Sequence, residues 1–156
     1  YEVTRRVLTS VFAALSSSDV DLRAIVLKPN MVTQGSDCPV VADISVVATL
    51  TVEVLSMTVP PAVAGIAFLS GGQDDMLATQ HLQAMNQLPA RYRPWPLTFS
   101  YGRAIQQAAM AAWAGRPENV ARAQEITAQR SQCNAAASTG SFREAPERPL
   151  YMVAVQ

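Results

Sequence analysis

The sequence predicts an α/β fold built on a parallel β-sheet, and three observations lead to that prediction. Short apolar runs at 24–27, 65–69 and 97–100 have the length and the flanking turn residues of buried strands. They recur about every 30 to 40 residues, and a stretch of helical periodicity follows each one. A closed (β/α)8 barrel needs about 250 residues. The 156 residues of this chain therefore predict one domain that forms part of such a barrel.

An amphipathic helix is predicted ahead of the first strand. Over 3–15, apolar side chains recur at the spacing of one helix face, and Ser16 to Asp19 supplies the break that follows. The apolar face consists of Val3, Val7, Leu8, Val11, Phe12 and Leu15.

The remaining helices alternate with the three strands. They are predicted over 43–58, 74–87, 102–115 and 117–140. Pro60 ends the first of these, which is unusually apolar. Pro117 and Glu118 are typical of a helix start, because proline fits the first turn and a carboxylate favours the positive end of the helix dipole.

Charge and hydropathy exclude several classes of protein. Twelve basic and twelve acidic residues cancel, and no basic block is present that could follow nucleic acid or an anionic lipid surface. The longest uncharged run, 54–73, is broken by prolines and glycines and lacks the roughly 20 unbroken apolar residues of a membrane span. Charged residues make up only 15%, against about 25% in typical domains. We therefore expect a soluble chain whose surface is partly covered by other protein.

Neither the cysteines nor the histidine predict a metal site. Cys38 and Cys133 are far apart and form no CxxC pair, so we expect plain reduced thiols, as in cytosolic proteins. His81 is the only histidine, and no Cys-His spacing accompanies it. We expect it to be an ordinary histidine on the surface of the third helix.

Lys28 is the only lysine, so any amine nucleophile has this one position. The other basic residues are arginines, which stay protonated at neutral pH. Lys28 ends the first strand on the same face as Ala24 and Val26, where burial would lower the pKa of its amine. A neutral amine forms Schiff bases with carbonyl compounds. The alternative is a lysine that extends from the strand end into water.

Two glycine turns predict a phosphate site. Ser70-Gly71-Gly72 follows the second strand, and Tyr101-Gly102-Arg103 follows the third. Glycines let backbone N–H groups approach an anion, a helix N-terminus adds positive charge, and arginine can bind phosphate oxygens in a bidentate manner. Each feature alone is common in ordinary turns. Their joint placement is more specific, because barrel enzymes often bind phosphate with the loops after their last two strands.

These motifs resemble class I fructose-bisphosphate aldolase over residues 1 to about 140. The segments that carry the resemblance are Leu27-Lys28-Pro29-Asn30-Met31-Val32-Thr33, Pro60-Pro61-Ala62-Val63, Phe68-Leu69-Ser70-Gly71-Gly72-Gln73, Ala84-Met85-Asn86, Pro94-Trp95 and Leu97 to Ala104, with shorter matches at Ala112-Trp113, Glu118-Asn119 and Ala123-Gln124. The resemblance implies the C-terminal part of a (β/α)8 TIM barrel. Strands 6–8 and their helices would occupy 1–140, and a C-terminal tail would occupy 141–156.

The resemblance also implies a reaction. The family reversibly cleaves fructose 1,6-bisphosphate to dihydroxyacetone phosphate and glyceraldehyde 3-phosphate in glycolysis and gluconeogenesis, without a metal or another cofactor. Lys28 aligns with the catalytic Schiff-base lysine, whose imine accepts the electrons of the breaking C3–C4 bond. Residues that align with the ketone-side phosphate site are Ser70, Gly71, Gly102 and Arg103, and Gly72 belongs to the same turn. A cytoplasmic homotetramer is the expectation for the complete enzyme.

The departures from the family concern proton transfer. The family's first five strands carry an aspartate, a second lysine, an arginine and two glutamates, and all of these would lie upstream of Tyr1. We therefore expect the chain to begin within a barrel and, alone, to lack the general acid and base for carbinolamine dehydration. The family's tail commonly ends in a tyrosine, whereas this chain ends in Gln156, and Tyr151 does not align with that tyrosine.

Two alternatives remain open at this point. A non-catalytic half-barrel could bind phosphorylated ligands or assemble with itself through its exposed sheet edges. Another Schiff-base aldolase, such as a transaldolase or deoxyribose-phosphate aldolase, would share the barrel and the lysine. The Leu27-Lys28-Pro29-Asn30-Met31 block argues against the second alternative.

Overall fold

A computed structural model describes residues 1–143 of the chain. The α-helices are α1 (Glu2–Ser17), α2 (Ile44–Thr58), α3 (Asp75–Gln87), α4 (Arg103–Trp113) and α5 (Val120–Ser138). The strands are β1 (Val26–Leu27), β2 (Gly65–Phe68) and β3 (Leu97–Phe99), and 3-10 helices occupy Leu22–Ala24, Ala90–Tyr92 and Pro117–Asn119. Most of the predicted tail, with Tyr151, lies outside the described residues.

The strands form one parallel sheet in the order β1-β2-β3, which confirms the α/β prediction. Val26 pairs with Gly65, and Phe68 pairs with Phe99. Parallel strands align their carboxyl ends, so the segments after all three strands emerge at one edge of the sheet. That edge carries the candidate site.

The first strand is shorter than predicted. Ala24 ends a 3-10 helix, because the Asp21 side chain accepts a hydrogen bond from the Arg23 backbone N–H and turns the chain. The prediction that Ala24, Val26 and Lys28 share one strand face is therefore wrong.

The core is formed by buried side chains of α2, α3 and the sheet. Its fully buried side chains include Val54, Leu55, Ile66, Phe68, Leu82 and Met85. Because β2 is the central strand and is covered by helices, its run is almost uninterruptedly apolar, as is typical of parallel sheets.

The predicted apolar face of α1 is only partly buried. Leu8 and Phe12 are in the core, with Thr4 on the same stripe. Val3, Val7 and Val11 are exposed by 65%, 53% and 38%, so this part of the apolar face is not covered within residues 1–143. The two stripes are neighbours on the helix, and only the first meets the core. The second borders an open groove, described below. Within residues 1–143, no helix is both long and apolar enough to cross a membrane.

Candidate active site

A groove of about 690 Å³ opens at the carboxyl ends of β1 and β2. The exposed stripe of α1 forms one wall, and the segments that follow the two strands form the other. Lys28, Gly71 and Gln73 contribute to its lining. A second groove of about 550 Å³ lies between α4 and α5, but none of its lining side chains titrates near neutral pH. Of these two grooves, the first contains a nucleophilic side chain, the Lys28 amine.

Lys28 follows β1 directly, and its side chain is exposed, so the predicted burial is wrong. Among residues 1–143, no ion pair involves its amine. The burial was expected from the apolar residues around it in the sequence. In the structure Ala24 and Val26 are exposed as well, and Leu27, Lys28 and Pro29 line a groove that residues 1–143 leave open.

Three elements hold the loop that carries Lys28. The Pro29 carbonyl oxygen accepts a hydrogen bond of 3.0 Å from the Leu69 backbone N–H, which joins this loop to the segment after β2. Asn30 Nδ2 donates to Thr4 Oγ1 on α1 at 3.0 Å. Thr51 Oγ1 on α2 accepts from the Val32 backbone N–H at 2.9 Å and is fully buried. The amine thus extends from a fixed backbone into the groove.

The first glycine turn has a backbone that favours glycine. Gly71 and Gly72 have φ values of +58° and +79°, in the left-handed region that other residues rarely adopt. The Gln73 N–H donates to the Ser70 carbonyl oxygen at 3.0 Å and closes the turn. Ser70 is only 5% exposed and lies at the base of the turn.

The N-termini of α3 and α4 differ in whether a side chain caps them. Asp74 caps α3, with its carboxylate accepting hydrogen bonds from the backbone N–H groups of Met76 at 2.9 Å and Leu77 at 3.4 Å. The carboxylate already offsets the positive end of the α3 helix dipole, so we no longer expect the α3 N-terminus to contribute to anion binding. Gly102 caps α4 without a side-chain hydrogen bond, which leaves the first amides of α4 open to an anion.

The structure brings the two glycine turns together. The Ser100 N–H donates to the Phe68 carbonyl oxygen at 2.8 Å, extending the pairing of β2 and β3 to the start of the second turn. Arg103 then lies over the first turn, with Nη2 and Nη1 at 3.4 and 3.7 Å from where a Cβ on Gly72 would stand. Among residues 1–143, Arg103 makes no ion pair. Its guanidinium is therefore available to an anion held by the glycine amides.

His81 contradicts the expectation of a surface histidine. It is 2% exposed, and Nδ1 lies 2.6 Å from Gln73 Oε1, an acceptor, so Nδ1 carries the proton. Burial lowers the pKa of His81 and favours this neutral form. Gln73 Nε2 in turn contacts Met31 Sδ at 3.5 Å. Sequence reasoning missed this link between α3, the first turn and the lysine loop, although Leu82, beside His81, marked an apolar helix face.

The cysteines are unbridged, with Cys38 exposed and Cys133 half-buried. Within residues 1–143, no three His, Cys, Asp or Glu side chains are grouped as a metal ion would require.

Comparisons with known proteins bear on the family and the fold of the chain. The family model described as "Glycolytic: Fructose-bisphosphate aldolase class-I" matches residues 1–151. A fructose-bisphosphate aldolase of Dictyostelium discoideum is 46% identical over 141 residues, which are 90% of this chain and 39% of that protein. The cytosolic fructose-bisphosphate aldolase 5 of Arabidopsis thaliana is 52% identical over 140 residues, 90% of this chain and 38% of its own length.

One solved structure extends the comparison to the fold. The fructose-bisphosphate aldolase of Plasmodium falciparum, in complex with TRAP and a small-molecule inhibitor, matches with a TM-score of 0.88 and 45% identity. The match covers 92% of this chain and 41% of that chain. It confirms the prediction of a partial (β/α)8 barrel. The chain thus spans about two fifths of the length of these relatives.

Proposed function

Because the chain belongs to the class I fructose-bisphosphate aldolase family, we propose that it supplies the Schiff-base lysine and the ketone-side phosphate site of that enzyme. The observation that carries the proposal is that Lys28 and Gly71 line one groove, while Arg103 lies beside Gly72 in the same turn. The reaction would be the reversible cleavage of fructose 1,6-bisphosphate to dihydroxyacetone phosphate and glyceraldehyde 3-phosphate.

The phosphate next to the ketone would be held by the two turns. The backbone N–H groups of the first turn and the uncapped start of α4 supply donors, and Arg103 supplies a bidentate cation. The Ser70 hydroxyl lies at the base of the first turn. In this arrangement the phosphate anchors the substrate, and its ketone carbon reaches towards the Lys28 amine in the groove.

Lys28 would then act as nucleophile. Its neutral amine attacks the C2 ketone carbon, and the carbinolamine loses water to give an iminium ion. As the C4 hydroxyl loses its proton, the C3–C4 bond breaks, its electron pair moves into the iminium to form an enamine, and glyceraldehyde 3-phosphate leaves. Protonation of the enamine at C3 and hydrolysis release dihydroxyacetone phosphate and restore the amine.

These steps need a proton donor and acceptor beside the amine. The side chains that line the groove within residues 1–143 include no aspartate, glutamate or histidine. We propose that the proton transfers use carboxylates outside residues 1–143. The exposed edge of β1, where Val26 is 62% exposed, is suited to pairing with a further strand that carries such groups.

The organisation of the whole enzyme is part of the same proposal. Residues 1–140 would be barrel and 141–156 a tail, and the complete enzyme would be a homotetramer. A cytoplasmic location is supported by relatives named as cytosolic or cytoplasmic isozymes in Arabidopsis thaliana and Cicer arietinum.

The absence of a carboxylate from the described lining of the groove favours one second candidate. A non-catalytic half-barrel would keep the phosphate site and bind phosphorylated ligands, or assemble with itself, without turnover. In that case Lys28 would be a solvated lysine at a strand end.

Borohydride trapping separates the two candidates. Dihydroxyacetone phosphate and sodium borohydride are added to the protein, and intact mass with peptide mapping locates any reduced adduct. A secondary amine on Lys28, absent from Lys28→Arg, supports the aldolase. Folded protein that binds phosphate and gives no adduct at Lys28 contradicts it and favours the half-barrel.

A further inference from the structure

Arg130, in the middle of α5, is fully buried although it carries a charge. Buried cations persist in proteins when a counter-ion and hydrogen-bond acceptors surround them. Asp75 supplies the counter-ion, with Oδ2 at 3.5 Å from Arg130 Nε.

The polar contacts of Arg130 join two helices. Nη2 donates to the Asp75 carbonyl oxygen at 2.5 Å and to Thr79 Oγ1 at 2.7 Å, both on α3. Nε donates to the Ala104 carbonyl oxygen at 3.2 Å, in the first turn of α4. A planar guanidinium has its donors in a fixed fork, so one side chain holds the starts of both helices at a defined separation.

Those two helix starts directly follow the glycine turns. Asp75 begins α3 shortly after Gly72, and Ala104 follows Arg103. Arg103 Nη2 lies 3.4 Å from the Cβ position of Gly72, so any shift of α4 relative to α3 changes this gap. The spacing that a phosphate group would meet therefore depends on what holds α3 and α4 together.

We propose that Arg130 is a positioning residue that sets the spacing between the Gly71-Gly72 turn and the Gly102-Arg103 turn, and thereby the fit of the phosphate. The inference rests on the proposed function and adds to it a residue that touches no substrate atom. Tyr101 provides a second link, because its hydroxyl donates to the Ala78 carbonyl oxygen on α3 at 3.0 Å. Loss of the Arg130 guanidinium should therefore make the spacing between the two turns less defined, while the Tyr101 hydrogen bond still links them.

Arg130→Lys is the decisive variant. An ammonium keeps the charge beside Asp75 but lacks the fork that reaches α3 and α4 together. Inorganic phosphate is titrated into the protein, and the backbone amide signals of Gly71, Gly72 and Gly102 are followed by NMR. We expect the phosphate dissociation constant to rise about tenfold or more in the variant, because small misplacements of binding groups are costly.

Ile126→Val is the matched control. Ile126 is also fully buried on α5, but it packs against Met76 and Ala109 and carries no polar contact to the turns. We expect its phosphate dissociation constant to stay at that of the unsubstituted protein. If Arg130→Lys fails to unfold cooperatively in urea, Thr79→Val replaces it, because this change removes one acceptor of the fork. It should weaken phosphate binding in the same direction by a smaller factor.

Two results overturn the proposal. One is an unchanged phosphate dissociation constant in the folded variant, and the other is an equal loss in Ile126→Val. If the unsubstituted protein binds no phosphate at these amides, the proposed function fails. The nuclear Overhauser effect between Gly72 Hα and the Arg103 guanidinium Hη protons in unliganded protein then decides the role of Arg130. Loss of this effect in Arg130→Lys but not in Ile126→Val supports the positioning role of Arg130. Persistence of the effect in Arg130→Lys overturns that role.

Discussion

Replacing Gly72 by alanine should damage phosphate binding more than it damages the fold. Gly72 has φ +79°, and a Cβ there would stand 3.4 Å from Arg103 Nη2 and 3.8 Å from its Cζ. A left-handed backbone costs an alanine about 1–2 kcal/mol. The contact with Arg103 adds little to that cost, because the end of a flexible side chain can move by a few tenths of an ångström. That movement would displace the guanidinium from the proposed phosphate position.

Gly115→Ala separates the backbone effect from the displacement. Gly115 has φ +72°, and nothing lies within 4 Å of its Cβ position, so it shares the strain but not the contact with Arg103. Urea unfolding should show both variants destabilised by about 1–2 kcal/mol. In a phosphate titration followed by NMR, only Gly72→Ala should bind more weakly. Equal phosphate affinity in the two variants would refute the assignment of Arg103 and Gly72 to one anion site.

Three further predictions concern stability. Thr51→Val leaves the buried Val32 N–H without its acceptor and should lower the free energy of unfolding in urea by about 1–3 kcal/mol. Thr51→Ser keeps the hydroxyl and should lower it clearly less. Equal losses in the two variants would contradict the role of that hydrogen bond. Asp74→Ala removes the α3 cap and should cost about 1 kcal/mol, whereas Asp43→Ala, whose side chain makes no capping bond on α2, should change little. Burial lowers the pKa of His81, so the unfolded chain binds the imidazole proton before the folded chain does, and the free energy of unfolding should decrease as the pH drops below the ordinary pKa of 6.5. In urea titrations at several pH values, His81→Asn should reduce this decrease. An unchanged pH dependence would show that other groups cause it.

The parallel sheet and its helices could be predicted from the sequence because their signals are local. Apolar runs of strand length, helical periodicity and glycine or proline boundaries each lie within a few residues. The meeting of Gly72 with Arg103 also followed, since parallel strands place their carboxyl ends at one edge.

What the sequence did not reveal depends on contacts between distant segments. The stripe of Val3, Val7 and Val11 has core-like periodicity, yet the groove that it borders is open within residues 1–143. Lys28 is exposed for the same reason. Ala24 has strand-like neighbours, but the Asp21 side chain bends the chain into a 3-10 turn. Periodicity reports which residues are apolar and cannot report which neighbouring elements cover them.

The burial of two polar side chains was also not predicted from the sequence. His81 and Arg130 are of types that usually lie at surfaces, and they are buried here because Gln73 and Asp75 supply partners. No residue spacing in the sequence indicates that these side chains pair with each other.

Lys28 and the two glycine turns are proposed to form one site that binds a phosphorylated ketone. The most direct measurement compares borohydride trapping of dihydroxyacetone phosphate and of dihydroxyacetone over a range of concentrations, in the unsubstituted protein and in Arg103→Met. We expect the phosphorylated ketone to label Lys28 at a much lower concentration than dihydroxyacetone does, and Arg103→Met to remove most of this difference. Equal trapping of the two ketones, or a difference that survives Arg103→Met, would contradict the proposal.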